Sequence, residues 1–166
     1  IDSRVIPGGS IFFAIKGETH DGHDYVAKAL EGGAACAVVQ KLVSGVDPAR
    51  TLVVDDTILA MGRLASYIRK NSSFKIVGIT GSAGKTTTKN MLYAVLGSKF
   101  KCYASPKSFN NNIGVPLTIF DAPSDCQIVI SELGTNHIGE IKVLSDMIEP
   151  DMAVITNVGE GHIEFL

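Results

Sequence analysis

Apolar residues along this chain follow two rhythms that take turns, short continuous runs and stretches with a spacing of three to four. That alternation is the signature of strands interleaved with helices. Residues 10–15, Ser-Ile-Phe-Phe-Ala-Ile, read as a strand that stops at Lys16-Gly17. Tyr25, Val26, Ala29 and Leu30 share a helical face, and Gly32-Gly33 closes that helix. Residues 35–39 and 51–54 are two more short strands. Ile58, Met61, Ala65 and Ile68 then step 3-4-3, one face of an amphipathic helix that starts near Asp56. Asn71-Ser72-Ser73 breaks the pattern, and a domain boundary is expected there, dividing the chain into modules 1–72 and 73–166.

The second module opens with a strand at 75–79. Met91, Leu92, Val95 and Leu96 form the apolar stripe of a helix stopped by Gly97, and a strand follows near Cys102. Residues 127–131 read as a strand buried on both faces. Ile138, Ile141, Leu144 and Ile148 mark a helix that Pro150 ends, and 152–156 is the next strand. The expected fold class is α/β: a small N-terminal α/β domain, then a mononucleotide-binding domain built on a parallel sheet. Such a domain usually has more than four strands, and the chain opens on Ile1. A piece of a longer protein is therefore expected, with the N-terminal domain clipped at its start and the second domain incomplete.

Composition narrows the classes. The 166 residues are 45% hydrophobic, with a mean hydropathy of +0.23, enough to bury a core. Seventeen acidic and fifteen basic residues leave a net charge of -2, with no basic patch for nucleic acid. The apolar runs fall far short of the ~20 residues of a membrane span, and no signal peptide is visible. Cys36, Cys102 and Cys126 stand without metal-ligand spacing, and buried reduced thiols are expected of them, as in a cytoplasmic protein.

The candidate chemistry begins at Gly81-Ser82-Ala83-Gly84-Lys85-Thr86-Thr87. Between a strand and a helix, Gly81 and Gly84 let backbone N–H groups turn inward on phosphate oxygens, and the helix adds its positive end. Lys85 suits the β- and γ-phosphates, and the Thr86 hydroxyl suits Mg²⁺. The common loop would place its first glycine at position 79, which is Ile79, so this is a shorter G-x-x-G-K-T form. Against it stands a plain turn and helix cap.

Ligands of parallel sheets gather at the carboxyl ends of the strands. There the strand 127–131 runs into Glu132, a candidate Mg²⁺ ligand directly or through water. The strand 152–156 leads to Asn157 and His162, the latter a second metal ligand or a group orienting a phosphate or water. Each could instead be structural, a carboxylate capping a turn or a satisfied histidine. His20 and His137 have weaker claims, His137 as a solvated turn residue. Asp21-Gly22-His23-Asp24 reads as a turn and helix N-cap.

Taken together, these segments resemble the Mur ligase family across essentially the whole chain. The likeness is carried by Asp2-Ser3-Arg4, by residues 12–17, by Asp21-Gly22-His23 and by the loop 80–87. Glu132-Leu133-Gly134, Gly139-Glu140-Ile141 and Asn157-Val158-Gly159 with His162 extend it. The run 110–118, Asn-Asn-Asn-Ile-Gly-Val-Pro-Leu-Thr, is similar to the branch that adds D-alanyl-D-alanine to UDP-N-acetylmuramoyl-tripeptide. The resemblance implies an ATP- and Mg²⁺-dependent amide ligase of peptidoglycan precursor synthesis, acting in the cytoplasm as a monomer in cell-wall biogenesis, cell shape and division. It implies an acyl phosphate intermediate, with Lys85, Glu132 and His162 catalytic. ATP would lie on residues 81–87, and Thr86, Glu132 and His162 would hold metal. Ser3, Arg4, Lys16, Asp21, Gly22, His23, Asn110, Asn111 and Asn157 would bind substrate. The family's third domain and its downstream active-site lysine lie outside this sequence, so the piece alone is expected to be inactive. Rival readings are a sister ligase, a folylpolyglutamate-type synthetase, a nucleotide-binding module without chemistry, and an unrelated phosphate-loop kinase.

Overall fold

The structure is a computed structural model that describes residues 2, 4, 6–106 and 108–159. The chain forms two compact units, Ile1–Met61 and Gly62–Leu166.

The first unit holds a parallel sheet of β1 (Ile11–Phe13), β2 (Cys36–Val39) and β3 (Thr51–Val53), in that order. Phe12 pairs with Ala37, so Phe12, Ala14, Ala37 and Val39 turn the same way. They pack on Val26, Ala29 and Leu30 of α1 (Val26–Glu31). β1 is shorter than the apolar run predicts. Past Phe13 the main chain leaves the ladder, and the Ile15 carbonyl accepts the Gly22 N–H instead (2.9 Å).

The second unit is built on a parallel sheet ordered β5-β6-β4-β7. Its strands are β4 (Lys75–Thr80), β5 (Cys102–Ala104), β6 (Ile128–Glu132) and β7 (Met152–Ile155). Alternation along the strands sorts the layers. Ile76 and Val129 face α4 (Gly114–Phe120), α5 (Glu140–Ile148) and the end of α2 (Thr57–Lys70). Val77, Ile79, Ile128 and Ile130 face the other way, onto Leu92 and Leu96 of α3 (Lys85–Gly97). All five residues of β6 are buried, as a strand covered on both faces should be.

Three sequence expectations change here. The α3 stripe is narrower than expected: Leu92 and Leu96 face the sheet, whereas Met91 and Val95 are exposed. Ile138 lies outside α5 and is exposed. The helix α4 emerges from a run that carries no helical rhythm. The Asn111 carboxamide accepts the N–H groups of Ile113 (3.2 Å) and Gly114 (2.9 Å), starting the helix. Pro116 is its third residue, where an N–H would lack an intrahelical partner anyway.

The two compact units are divided within α2, after Met61. Ala65 is buried in the second core and Ile68 packs against it. Asn71 and Ser72 finish α2 by donating to the carbonyls of Tyr67 (2.8 Å) and Ile68 (2.6 Å), so the polar break is a helix end. Arg69 fastens that end, donating to Ile148 O (2.9 Å), Phe74 O (3.0 Å), Glu149 O (3.1 Å) and the Asp151 carboxylate (2.8 Å). Among the described residues no helix is long and apolar enough to cross a membrane. Cys126 is buried, while Cys36 and Cys102 are half-buried, and all three are free thiols. Burial pushes the Cys102 and Cys126 thiols up, away from reactive thiolate.

Candidate active site

The loop between β4 and α3 lies where the connections of the sheet diverge. From β4 the chain runs through α3 to β5 on one side, and from β6 through α5 to β7 on the other. Gly81 (φ 131°) and Gly84 (φ 82°) adopt the left-handed region, and Gly84 is the N-cap of α3. A Cβ on Gly81 would collide with the Thr156 hydroxyl and approach Asn157 O to 2.8 Å. The first helical hydrogen bond is Thr88 N–H to Gly84 O (2.9 Å), so the N–H groups of Lys85, Thr86 and Thr87 form the orphan donor end of α3. Lys85 folds back and donates to Gly81 O (2.6 Å).

Glu132, the last residue of β6, faces this helix and is 1% exposed. Its Oε2 accepts the Thr86 hydroxyl (3.2 Å), and its Oε1 lies 3.0 Å from the Lys89 ammonium, itself buried. Lys89 also donates to Ser105 O at the end of β5 (2.8 Å). The Lys89–Glu132 approach is an ion contact without hydrogen-bond alignment, and Oε1 has no aligned donor. The Thr86 hydroxyl and the Glu132 carboxylate, hard oxygens beside a row of orphan N–H groups, fit a Mg²⁺ ion carried by a polyphosphate. Among the described residues no group of three His, Cys, Asp or Glu side chains gathers. A Mg²⁺ site with few protein ligands, completed by phosphate and water, fits that composition. His162 lies outside the described residues, as does Ser3.

Sequence reasoning missed Lys89. At a helix position followed by apolar residues, a lysine reads as a solvated face. Its spacing of four from Lys85, which puts both on one side of α3, was the available signal.

Beside Lys85 opens a cleft of about 480 Å³, lined in part by Asn110, Asn111, Gly134, Thr135 and Glu140. Asn110 O accepts the Gly134 N–H (2.8 Å), and its side chain lies so close that a Cβ on Gly134 would meet Asn110 Cγ at 2.7 Å. Glu140 shapes the cleft wall. Its carboxylate accepts the N–H groups of Asn136 (2.6 Å) and His137 (3.0 Å), which pull its pKa down to about 2. His137 lies 3.3 Å from the same carboxylate, so it is a turn partner of Glu140 and not merely solvated.

Asn157, expected among the substrate-binding residues, turns its side chain to the phosphate loop and accepts the Ala83 N–H (2.9 Å). In the first unit, Asp21 caps the turn after β1 and accepts the His23 N–H (3.0 Å). That bond and the His23 ring hold the Asp21 carboxyl below its usual range. His23 Nε2 accepts the Gln40 N–H (2.9 Å), so the ring proton sits on Nδ1 and is donated to Asp21 (2.6 Å). His23 is buried with both ring nitrogens engaged by Asp21 and Gln40. Gly22 sits where a Cβ would come within 2.6 Å of Ile15 N. Asp-Gly-His is thus a clamp joining the ends of β1 and β2. Lys16 is exposed and its main chain forms an isolated antiparallel β-bridge with that of Asp21, and the exposed Arg4 pairs with Asp2 (2.7 Å).

These features define a parallel α/β protein with a glycine turn and an opposing acid at the strand ends where the connections of its sheet diverge. The chain belongs to the Mur ligase family: it matches the Mur ligase middle domain over residues 79–166, and the family's catalytic-domain description over residues 1–67. It is 39% identical over 166 residues to the UDP-N-acetylmuramoyl-tripeptide–D-alanyl-D-alanine ligase of Bacillus subtilis, covering 99% of this chain and 36% of that protein. The Escherichia coli ligase of the same name is 36% identical over 163 residues, covering 98% of this chain and 36% of that protein. A crystal structure of MurF from Acinetobacter baumannii superposes with a TM-score of 0.88 at 38% identity, covering 98% of this chain and 36% of that one. The MurF ligase from Thermotoga maritima in complex with ADP gives 0.88 at 34% identity, covering 98% and 38%. The chain therefore spans little more than a third of the length of these relatives.

Proposed function

We propose that this chain is the nucleotide-binding and UDP-substrate-binding part of an ATP-dependent ligase that joins D-alanyl-D-alanine to UDP-N-acetylmuramoyl-tripeptide. The observation that carries the reading is the meeting of the phosphate loop with Glu132 through the Thr86 hydroxyl (3.2 Å). The ADP-bound Thermotoga relative supports the choice of nucleotide, and the names of the curated relatives support the choice of substrates. The proposed setting is the cytoplasm, in cell-wall precursor synthesis, as a monomer.

Amide formation from a carboxylate needs a better leaving group than oxide. In the proposed reaction the γ-phosphoryl passes from ATP to the tripeptide carboxylate, giving an acyl phosphate and ADP. The D-alanyl-D-alanine amine attacks, and phosphate leaves. Positioning and charge neutralisation are then the protein's tasks. The N–H groups of residues 85–87 receive phosphate oxygens, and Lys85 swings from Gly81 O to the transferring phosphoryl. Thr86 and Glu132 would hold Mg²⁺, which would supply charge neutralisation, and His162 is the proposed further ligand. Asn110 and Asn111, which line the cleft beside Lys85, are the proposed acceptor contacts. Arg4, Lys16, Asp21 and Gly22 belong to the proposed UDP end, with Ser3.

The test is phosphate release by the full-length natural enzyme that carries this segment. Release should require ATP, UDP-N-acetylmuramoyl-tripeptide and D-alanyl-D-alanine together. Lys85→Ala should reduce it by at least roughly a hundredfold, the loss typical of a removed transition-state donor. Turnover with a different amino acid in place of the dipeptide would transfer the protein to a sister ligase, and undiminished turnover in Lys85→Ala would end the reading.

A further inference from the structure

The phosphate loop is held by the segment that follows β7 as well as by its own turn. Asn157 carries two of the attachments: its side-chain Oδ1 accepts the Ala83 N–H (2.9 Å), and its main-chain carbonyl accepts the Ser82 N–H (3.2 Å). Around it, the Ser82 hydroxyl donates to Gly159 O (2.9 Å), and the Thr156 N–H donates to Thr80 O (2.9 Å). The Thr156 hydroxyl lies between Thr80 O and Ala83 O, and donates to Ala83 O at 2.5 Å. Gly81 allows this approach, because any Cβ there would strike Thr156 and Asn157.

A loop with two glycines at positive φ has many accessible conformations, and its ordering entropy falls on whatever ligand binds it. Attachments formed before binding remove that cost. Here they also sort the donors. The N–H groups of Ser82 and Ala83 are spent on Asn157, whereas those of Lys85, Thr86 and Thr87 stay open at the start of α3. We propose that Asn157 is the positioning residue of the phosphate loop, which fixes its shape by occupying the Ser82 and Ala83 donors so that the α3 end alone receives phosphate. The proposal rests on the nucleotide-binding reading above. It moves Asn157 from contact with substrate to support of the loop.

The experiment measures two quantities on the full-length natural enzyme that carries this segment: ADP affinity by calorimetry with Mg²⁺, and amide hydrogen exchange without nucleotide. Asn157→Ala should weaken ADP binding about three- to tenfold, the worth of one aligned hydrogen bond. Ala83 exchange should accelerate about as much or more, while exchange at Ile76–Ile79 stays at the wild-type rate and shows the fold intact. Asn157→Asp keeps an acceptor at the same place and should leave Ala83 protected. If ADP binds Asn157→Ala equally well or more tightly, Asn157 competes with phosphate for the donor and the proposal is overturned. Unchanged Ala83 exchange in Asn157→Ala, or lost protection in Asn157→Asp, overturns it as well. If the wild-type chain binds no ADP, the nucleotide reading is what fails, and the exchange of Ala83 still decides the role of Asn157.

Discussion

Lys89 and Glu132 set a residue-scale problem, since each is a charge almost wholly out of water. Each ion offsets the burial of the other, so removing one leaves a charge uncompensated. Lys89→Met should lower stability to urea by about 3–5 kcal/mol. Adding Glu132→Gln should recover most of it, because the orphaned charge is then gone. Equal losses in the single and double variants would mean that the two charges are not coupled. Glu140 gives a different signature, in pH. Its folded pKa of about 2 lies below the ordinary 4.5, so the proton binds more readily to the unfolded chain. Its stabilising effect is complete above about pH 4.5 and drains away as pH falls toward 2. Urea midpoints across that range should fall more steeply for wild type than for Glu140→Gln. Sequence made Glu132 visible, since an acid ending an apolar run has few reasons to be there. It hid Lys89, whose burial depends on β5 and β6 closing over α3, and it left His23 ambiguous because its partner Gln40 is seventeen residues away.

Among elements, most strands and the long helices were readable because their faces are covered by one layer, so period and burial agree. The exceptions have local causes. Helix α4 starts from a side-chain cap at Asn111 and carries Pro116 and Gly114 near its beginning, which mask a helical rhythm. In α3 the sheet covers a narrow stripe, and Met91 and Val95 sit just beyond it. The turn between α5 and β7 depends on Asp151, whose carboxylate accepts Ile76 N–H (2.9 Å), Lys75 (2.8 Å) and Arg69 (2.8 Å). Lys75 and these other donors hold its carboxyl below the usual range. Asp151→Ala should cost roughly 1–2 kcal/mol, at the low end for charged hydrogen bonds because the side chain is 24% exposed. Thermal melting followed by circular dichroism would show it. A melt indistinguishable from wild type would mean that Arg69 finds sufficient partners in the carbonyls.

For the molecule as a whole, the α/β class was legible, and the expected boundary at Asn71-Ser72-Ser73 remains a proposal on which the end of α2 bears. A polar Asn-Ser-Ser break looks alike whether it links domains or finishes a helix, and Ala65, Ile68 and Arg69 before it make their contacts with the second core. A piece beginning at Gly62 keeps all three, and a piece beginning at Ser73 loses them. The shorter piece should melt roughly 10–20 °C lower, given several kcal/mol lost from a domain near 100 residues. Equal melting would favour a boundary at the polar break. The pairing of β4 with β6, Ile79 opposite Glu132, reaches further. Strand faces alternate with a period of two, so deleting a single codon upstream within β6 could not be absorbed as a small displacement. It would carry the acid to the opposite side of the sheet and turn the flanking isoleucine face away from α3. Genetic drift in length is thus confined to the loops, and the spelling of this strand is as much a ruler as a set of side chains.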